Sequence, residues 1–187
     1  MCLPALAQSN SSPQNQSGQN DQNSKSDDGN FSAGINLGKN ASSKDVGLPI
    51  YPGSRRHKDS DNDSSALNVG LWGGSSAFKM AILEMETNDS TDKVAAFYRK
   101  ALAKYGKVLI CAGPGAETNS APPDADKKSK GPDPVRCDND SSGNKDKSEI
   151  EFKSGTKDKQ HVVGITPKDG LTTYSLVYIE TRGLDDK

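Results

Sequence analysis

The chain has 187 residues, of which 31% are hydrophobic and 5% aromatic, and its 24 Lys+Arg against 25 Asp+Glu leave a net charge of -1. A mean hydropathy of -0.80 means that much of the chain cannot bury enough apolar surface to offset its ordering entropy. The charge balance excludes an electrostatic case for nucleic acid or an anionic membrane surface, and no stretch approaches the ~20 apolar residues of a spanning helix.

The first residues, Leu3-Pro4-Ala5-Leu6-Ala7 followed by Gln8, have the small-residue pattern of an export cleavage site without the apolar run that precedes one. Residues 1–7 are therefore expected to be the remnant of a secretory signal peptide. Cys2 follows Met1 rather than the small residue that a lipid-anchor cysteine requires, which favours a soluble exported protein. From Gln8 to Lys44 the chain is Ser, Asn, Gln, Asp and Gly with isolated apolar residues such as Phe31, Ile35 and Leu37, and 8–44 is expected to be a disordered polar tail. Residues 45–187 are expected to form one domain interrupted by a polar loop at 112–148.

In "DVGLPIYPGSRRH", Pro49 and Pro52 flank Ile50-Tyr51, which predicts an extended lead-in along a core edge. Arg55-Arg56-His57-Lys58 runs straight into Asp59, Asp61 and Asp63 and reads as a solvated turn. Leu67, Val69 and Leu71 alternate with Asn68, Gly70 and Trp72, a strand period. Gly73-Gly74-Ser75-Ser76 turns into a second strand with Phe78, Met80 and Ile82 on one face and Ala81, Leu83 and Met85 on the other. Apolar residues on both faces predict a central strand. "STDKVAAFYRKALAKYG" places Val94, Phe97, Tyr98, Ala101, Leu102 and Tyr105 on one helical face, with Ser90 as N-cap and Gly106 as terminator.

"KVLIC" is a strand candidate, followed after the polar loop by Ile150 to Lys153, Gln160 to Thr166 and Leu171 to Glu180. Pro167-Lys168-Asp169-Gly170 joins the last two as a hairpin turn. The order β-β-α-β-β-β-β implies an α+β fold: an antiparallel sheet of about five to six strands with one main helix packed on one face. Cys111 and Cys137 bracket the polar loop, as a loop-closing disulfide of an oxidising compartment would.

"LPIYPGS", "TNDSTDKVAAFYRKALAKYG" and "QHVVGI" with "YSLVYIE" together resemble an uncharacterised group of small exported bacterial α+β domains. That group carries a Pro-x-Tyr-Pro-Gly segment and a Val-x-x-Phe-Tyr-x-x-x-Leu helix. The resemblance covers most of 45–183 outside the cysteine loop. It implies fold and compartment and brings no catalytic residue with it.

Few constellations carry chemistry. In "DNDSSGNKDKSE", Asp138, Asp140, Ser142, Asn144, Asp146 and Glu149 take the first, third, fifth, seventh, ninth and twelfth positions of a calcium loop, with Gly143 at the bend. Lys145 at the eighth position, the lack of flanking helices and the composition of the block favour a solvated loop instead. Zinc needs more Cys and His than remain, and no cofactor signature is present. The histidines are His57 and His161; a Cys111–His161 nucleophile pair requires a free thiol, which the disulfide excludes. Trp72 is the exposed aromatic candidate for contact, since Leu71 and Gly73 point the other way.

These readings converge on a periplasmic or secreted, non-enzymatic binding or accessory domain. It is expected to be a monomer acting on an envelope protein or a small ligand. Two alternatives stand beside it. One is a small hydrolase-like enzyme whose site, around His57 or His161 with carboxylates, assembles only in three dimensions. The other is a calcium-stabilised extracellular module.

Overall fold

The alternating apolar runs become long antiparallel strands. The computed structural model describes residues 33–38, 40–58, 65–116, 132–137 and 148–184. Strand β1 (Ala33–Gly38) is followed by a single helical turn α1 (Ser43–Val46), a short strand β2 (Arg55–Arg56), β3 (Ala66–Gly73) and β4 (Ser76–Thr87). Helix α2 (Thr91–Leu102) then runs through a 3-10 turn (Ala103–Tyr105) into β5 (Leu109–Ala112), β6 (Ile150–Thr156), β7 (Lys159–Lys168) and β8 (Leu171–Arg182). The described strands form one eight-stranded sheet in the order β1-β3-β4-β8-β7-β6-β5, with β2 paired on β4. Every recorded pairing is antiparallel.

The α+β architecture with one main helix is as expected, but the strand count exceeds five to six. The two additional strands left little periodic signal. Strand β1, "AGINLG", has only Ile35 and Leu37 in alternation, and β2 is two arginines long. The described elements β1 and α1 thus include residues ahead of Asp45, within the stretch expected to be polar tail. Ala41 and Val46 are fully buried, and α1 opens on a capping box in which the Ser42 N–H and hydroxyl both donate to Asp45 Oδ2, at 2.8 and 2.6 Å. The Asp45 carboxyl lies below its ordinary range because of the Ser42 hydroxyl bond.

The hairpins follow their turn chemistry. Between β7 and β8 the turn narrows to Asp169-Gly170, with φ of 52° and 78°, the paired left-handed geometry of a type I′ hairpin. Pro167 is in the strand, opposite Thr172. Ser90 occupies the N-cap position of α2, but its side chain makes no capping hydrogen bond. Gly106 has φ 130° and ψ -161°, which is not the left-handed cap anticipated. Instead the buried Ser154 hydroxyl donates to the Leu102 carbonyl at 3.1 Å, satisfying a helix-end acceptor.

The sheet's two faces differ sharply. Cross-strand register aligns Ala66, Leu83, Leu176, Val163 and Phe152 beneath Val94, Tyr98 and Leu102 of the helix, and all are buried. On the reverse face, Leu67, Ile82, Val177 and Val162 form one apolar row. Leu37, Val69, Met80 and Ile179 form the next, and Ile35, Leu71 and Phe78 a third. These reverse-face residues are part-exposed or exposed, and none belongs to the core cluster or its packed margin. Thus β4 is central in the sheet without being covered on both sides among the described residues.

The lead-in "VGLPIY" is gripped through its backbone. The Val46 carbonyl accepts from His161 Nδ1 at 3.1 Å, and the Gly47 carbonyl accepts from Tyr105 Oη and, at 3.0 Å, from Lys104 Nζ. The Pro49 carbonyl accepts from Tyr98 Oη at 3.0 Å, while the Tyr51 N–H donates to Tyr98 and Tyr174 Oη at 3.1 and 3.3 Å. Tyr51 stacks edge-on against Phe97, centroids 5.2 Å apart, and its hydroxyl donates to Asp89 at 2.9 Å. The Pro-x-Tyr-Pro-Gly segment and the Phe-Tyr helix motif therefore hold each other directly.

Cys111 and Cys137 form a disulfide with Cα atoms 5.3 Å apart. It pins the returning chain where Pro134 bridges Thr156 and Val135 is buried.

Two outcomes follow for stability. Tyr98→Phe, which strands the Pro49 carbonyl and weakens the hold on Tyr51, should cost about 1–3 kcal/mol in urea unfolding. Cys111→Ser with Cys137→Ser should cost about 3–4 kcal/mol by the loop-entropy relation, and reductant should destabilise the wild type by a like amount while leaving the double variant unchanged.

Candidate functional site

Helix α2 lies over β6 and β7, and α1 lies over β4 and β8. The same face is left open where β1, β3 and β4 end, and there it forms a groove of about 440 Å³. Strand alternation builds its floor. Asn68, Gly70 and Trp72 come from β3, Asn36 from β1, Lys79 from β4, and Glu180 and Arg182 from β8. Register places Asn36, Gly70, Lys79 and Glu180 in one line across four strands, and Trp72 opposite Gly34 and Ala77 in the next.

Trp72 is 48% exposed and is held by what lies beneath it. A Cβ on Gly34 would fall 2.2 Å from Trp72 Cζ2, so the indole occupies the space that only glycine leaves free. Gly70 has room above it: a Cβ there would meet only Asn36 and Trp72, at 3.7 and 3.9 Å. Glu180 is spoken for at both oxygens, accepting from Tyr178 Oη at 2.8 Å and pairing with Lys159 Nζ at 3.1 Å. Those two contacts, the tyrosine's first, hold its carboxyl below the ordinary carboxylate range. Burial, then the bond to Glu180, pushes the Tyr178 hydroxyl up to about 12. Lys79 Nζ stands 5.7 Å over the Tyr178 ring, and Arg182 is exposed at the rim. With Glu180 already paired, the groove offers an aromatic surface, amides and cationic groups.

A second, smaller groove of about 250 Å³ lies at the polar end of the reverse face, lined by His57, Glu84, Glu149, Thr173 and Ser175 among others. His57 Nδ1 donates to Glu86 Oε2 at 2.6 Å, and Arg55 Nε reaches Glu86 Oε1 at 2.6 Å. The His57 bond, then Arg55, holds the Glu86 carboxyl below its ordinary range. The basic run read as a solvated turn thus contributes a strand and an ion-pair cluster.

His161 is elsewhere, 5% exposed, stacked at 3.5 Å on Tyr105 and tilted 4.9 Å from Tyr178. Its Nδ1–H is used on the Val46 carbonyl, and no carboxylate touches it among the described contacts. Burial pushes its pKa down, and nearby Lys104 pushes the same way. Cys111 is in the disulfide, so it is no thiolate nucleophile. Of the calcium-loop candidates, Asp138, Asp140, Ser142, Asn144 and Asp146 lie outside the described residues; Glu149 lines the second groove. Among the described residues no group of His, Cys, Asp and Glu is arranged to hold a metal ion. No helix of these residues is long and apolar enough to cross a membrane.

Trp72 was legible in the sequence. Asn36, Asn68, Lys79, Glu180 and Arg182 were not, because their convergence depends on the β1-β3-β4-β8 order. The one available signal was the alternation of Asn68, Gly70 and Trp72 with Leu67, Val69 and Leu71. Compared with known protein families, curated proteins and solved structures, the chain matches none.

The buried imidazole gives a sign-definite pH dependence. An unfolded His161 titrates near 6.5 and the folded one lower, so the unfolded state binds more protons and stability falls as pH drops below that value. The melting temperature should decline from about pH 7 to about pH 5, and His161→Phe should flatten that slope even if it lowers the plateau.

Proposed function

We propose that this protein is an exported, non-enzymatic binding domain that takes a small ligand in the Trp72 groove. The observation that carries the reading is the convergence of an exposed indole, two Asn amides and the Lys79 and Arg182 cations on an open sheet surface. Ligand sites pair apolar or aromatic contact area with a few placed polar groups, and indoles add flat contact surface at low entropic cost. Because Glu180 is already paired, the charge left for a ligand is positive. The ligand is one that lays a flat apolar face on the indole and offers an acidic group to Lys79 and Arg182. The disulfide supports an oxidising compartment, periplasmic or extracellular.

A second reading is a hydrolase centred on His57, favoured by the imidazole and the carboxylates of Glu84, Glu86 and Glu149 at the reverse-face groove. It is the weaker one, because Arg55 neutralises the carboxylate that would orient the base. Turnover of nitrophenyl esters that vanishes in His57→Ala would establish it.

Trp72 is the chain's single tryptophan, so its fluorescence reports the groove directly. Titration with sugar acids and aromatic carboxylates, with their neutral counterparts as controls, should give a saturable change for an acidic ligand. Gly70→Tyr, which fills the groove, and Arg182→Ala should each weaken binding at least about tenfold with the circular dichroism spectrum retained. Saturable binding indifferent to Gly70→Tyr and Arg182→Ala would place the site elsewhere.

A further inference from the structure

The reverse face of the sheet is the largest feature that neither groove explains. Its three apolar rows hold eleven uncharged residues, four on β3-β4-β8-β7, four on β1-β3-β4-β8 and three on β1-β3-β4, and Ile35, Leu37 and Leu71 among them are 59%, 71% and 39% exposed. On the same strands, one residue along, Ala81, Leu83 and Leu176 are at 0%. The contrast is between a covered face and an uncovered one, since the strands and their composition are the same.

The face is bounded. Towards one end Glu84 and Ser175 form the next row, and Glu86 with Arg55 and His57 the one beyond. Towards β6 it ends at Lys153, paired with Glu151 at 3.7 Å. Eleven positions, about 4.8 Å apart between strands and about 6.8 Å apart between same-face rows, make about 360 Å² of flat apolar area. That is within the size of the largest patches on monomers, which are usually functional.

The rest of this chain is poorly suited to cover it. Segments 59–64, 117–131 and 138–147 contain no Val, Ile, Leu, Met or Phe, residues 8–32 contain only Phe31, and residues 1–7 add Met1, Leu3 and Leu6, too few side chains for eleven positions. A membrane surface is disfavoured by the balanced charge. A second copy meets the requirements. A twofold axis sets the face against itself, so an uncharged patch meets an uncharged patch. The net charge of -1 imposes little repulsion between copies. Two faces remove about 700 Å² of flat area, which is the size of a weak, concentration-dependent contact, with the Glu84–Glu86 end as polar rim.

We propose that the reverse face, centred on Val69, Met80 and Ile179, is a homodimer interface in which two sheets stack face to face, in place of the expected monomer. The Trp72 groove shares Leu71 and Phe78 with this face, but its indole, amides and cations lie on the opposite side of the sheet and stay open in each copy.

Analytical ultracentrifugation of the full chain across micromolar concentrations should give twice the 19.8 kDa chain mass. Met80→Glu puts a charge at the centre of the face, and Leu37→Lys puts one at a position already exposed in a single copy, where folding tolerates it. Both should shift the dissociation constant at least about a hundredfold towards monomer, with the melting transition of Leu37→Lys still cooperative. A wild type that is monomeric at 100 micromolar overturns the proposal. So does a dimer that neither substitution weakens, which would place the contact on another surface. Dimerisation only after removal of residues 1–31 would assign the face to the chain's own N-terminal segment. Monomers that float with neutral phosphatidylcholine vesicles would assign it to lipid.

Discussion

The fold depends on a grip of aromatic side chains on an extended backbone. The segment 46–51 runs along the helix-side layer with Val46 and Leu48 buried and Gly47 and Tyr51 partly so, and peptide groups withdrawn from water must be paired. Tyr98, Tyr105, Tyr174 and His161 supply those partners from the helix, the 3-10 turn and two central strands. Each is a large apolar body with one polar atom at its tip, so the same residue fills the core and satisfies a carbonyl or an amide. Burial, with the Tyr174 hydroxyl beside it, drives the Tyr98 hydroxyl well above its ordinary pKa, which keeps it a donor to Pro49. Gly47 has a positive φ of 68°, and any Cβ there would fall within 3 Å of Tyr105 Oη and His161 Cε1. Glycine is thus required at the centre of the grip.

That grip determines where the molecule is closed and where it is open. The lead-in, α1 and α2 fill the helix-side layer above β4, β8, β7 and β6, and they stop short of β1 and β3. The uncovered remainder becomes the Trp72 groove, floored by residues too small or too polar to have needed cover. The reverse face receives no comparable layer among the described residues. Among the described residues this one-sided covering leaves two surfaces, one mixed and concave, the other apolar and broad. The disulfide braces the far edge of the sheet, at β5 and β6, away from both.

The relation between the groove and the His57 cluster follows from the same geometry. Both lie at ends of the sheet, where strand side chains change from apolar to polar, but on opposite faces. The groove sets the cationic Lys79 and Arg182 around an aromatic surface. In the His57 cluster the charges are engaged with one another: Glu86 is shared by His57 and Arg55. A carboxylate between two such partners behaves as a structural ion pair holding β2 onto β4, and its local field is largely cancelled.

Local periodicity carried a large part of this molecule. The helix face from Val94 to Leu102, the alternation in β3, β4, β7 and β8, the Gly74 and Gly170 turns and the pairing of the two loop cysteines were all legible from spacing and residue type. Those features are written in residues close together in sequence, or in the scarcity of cysteine. Strand order, the weak strand β1, the gathering of Asn36, Lys79 and Arg182 around Trp72, and the absence of a described layer over the reverse face belonged to the tertiary structure alone. Ile82 and Leu83 look equally hydrophobic in the sequence. Only the position of one helix, on one side of the sheet, decides that Leu83 is core and Ile82 is surface.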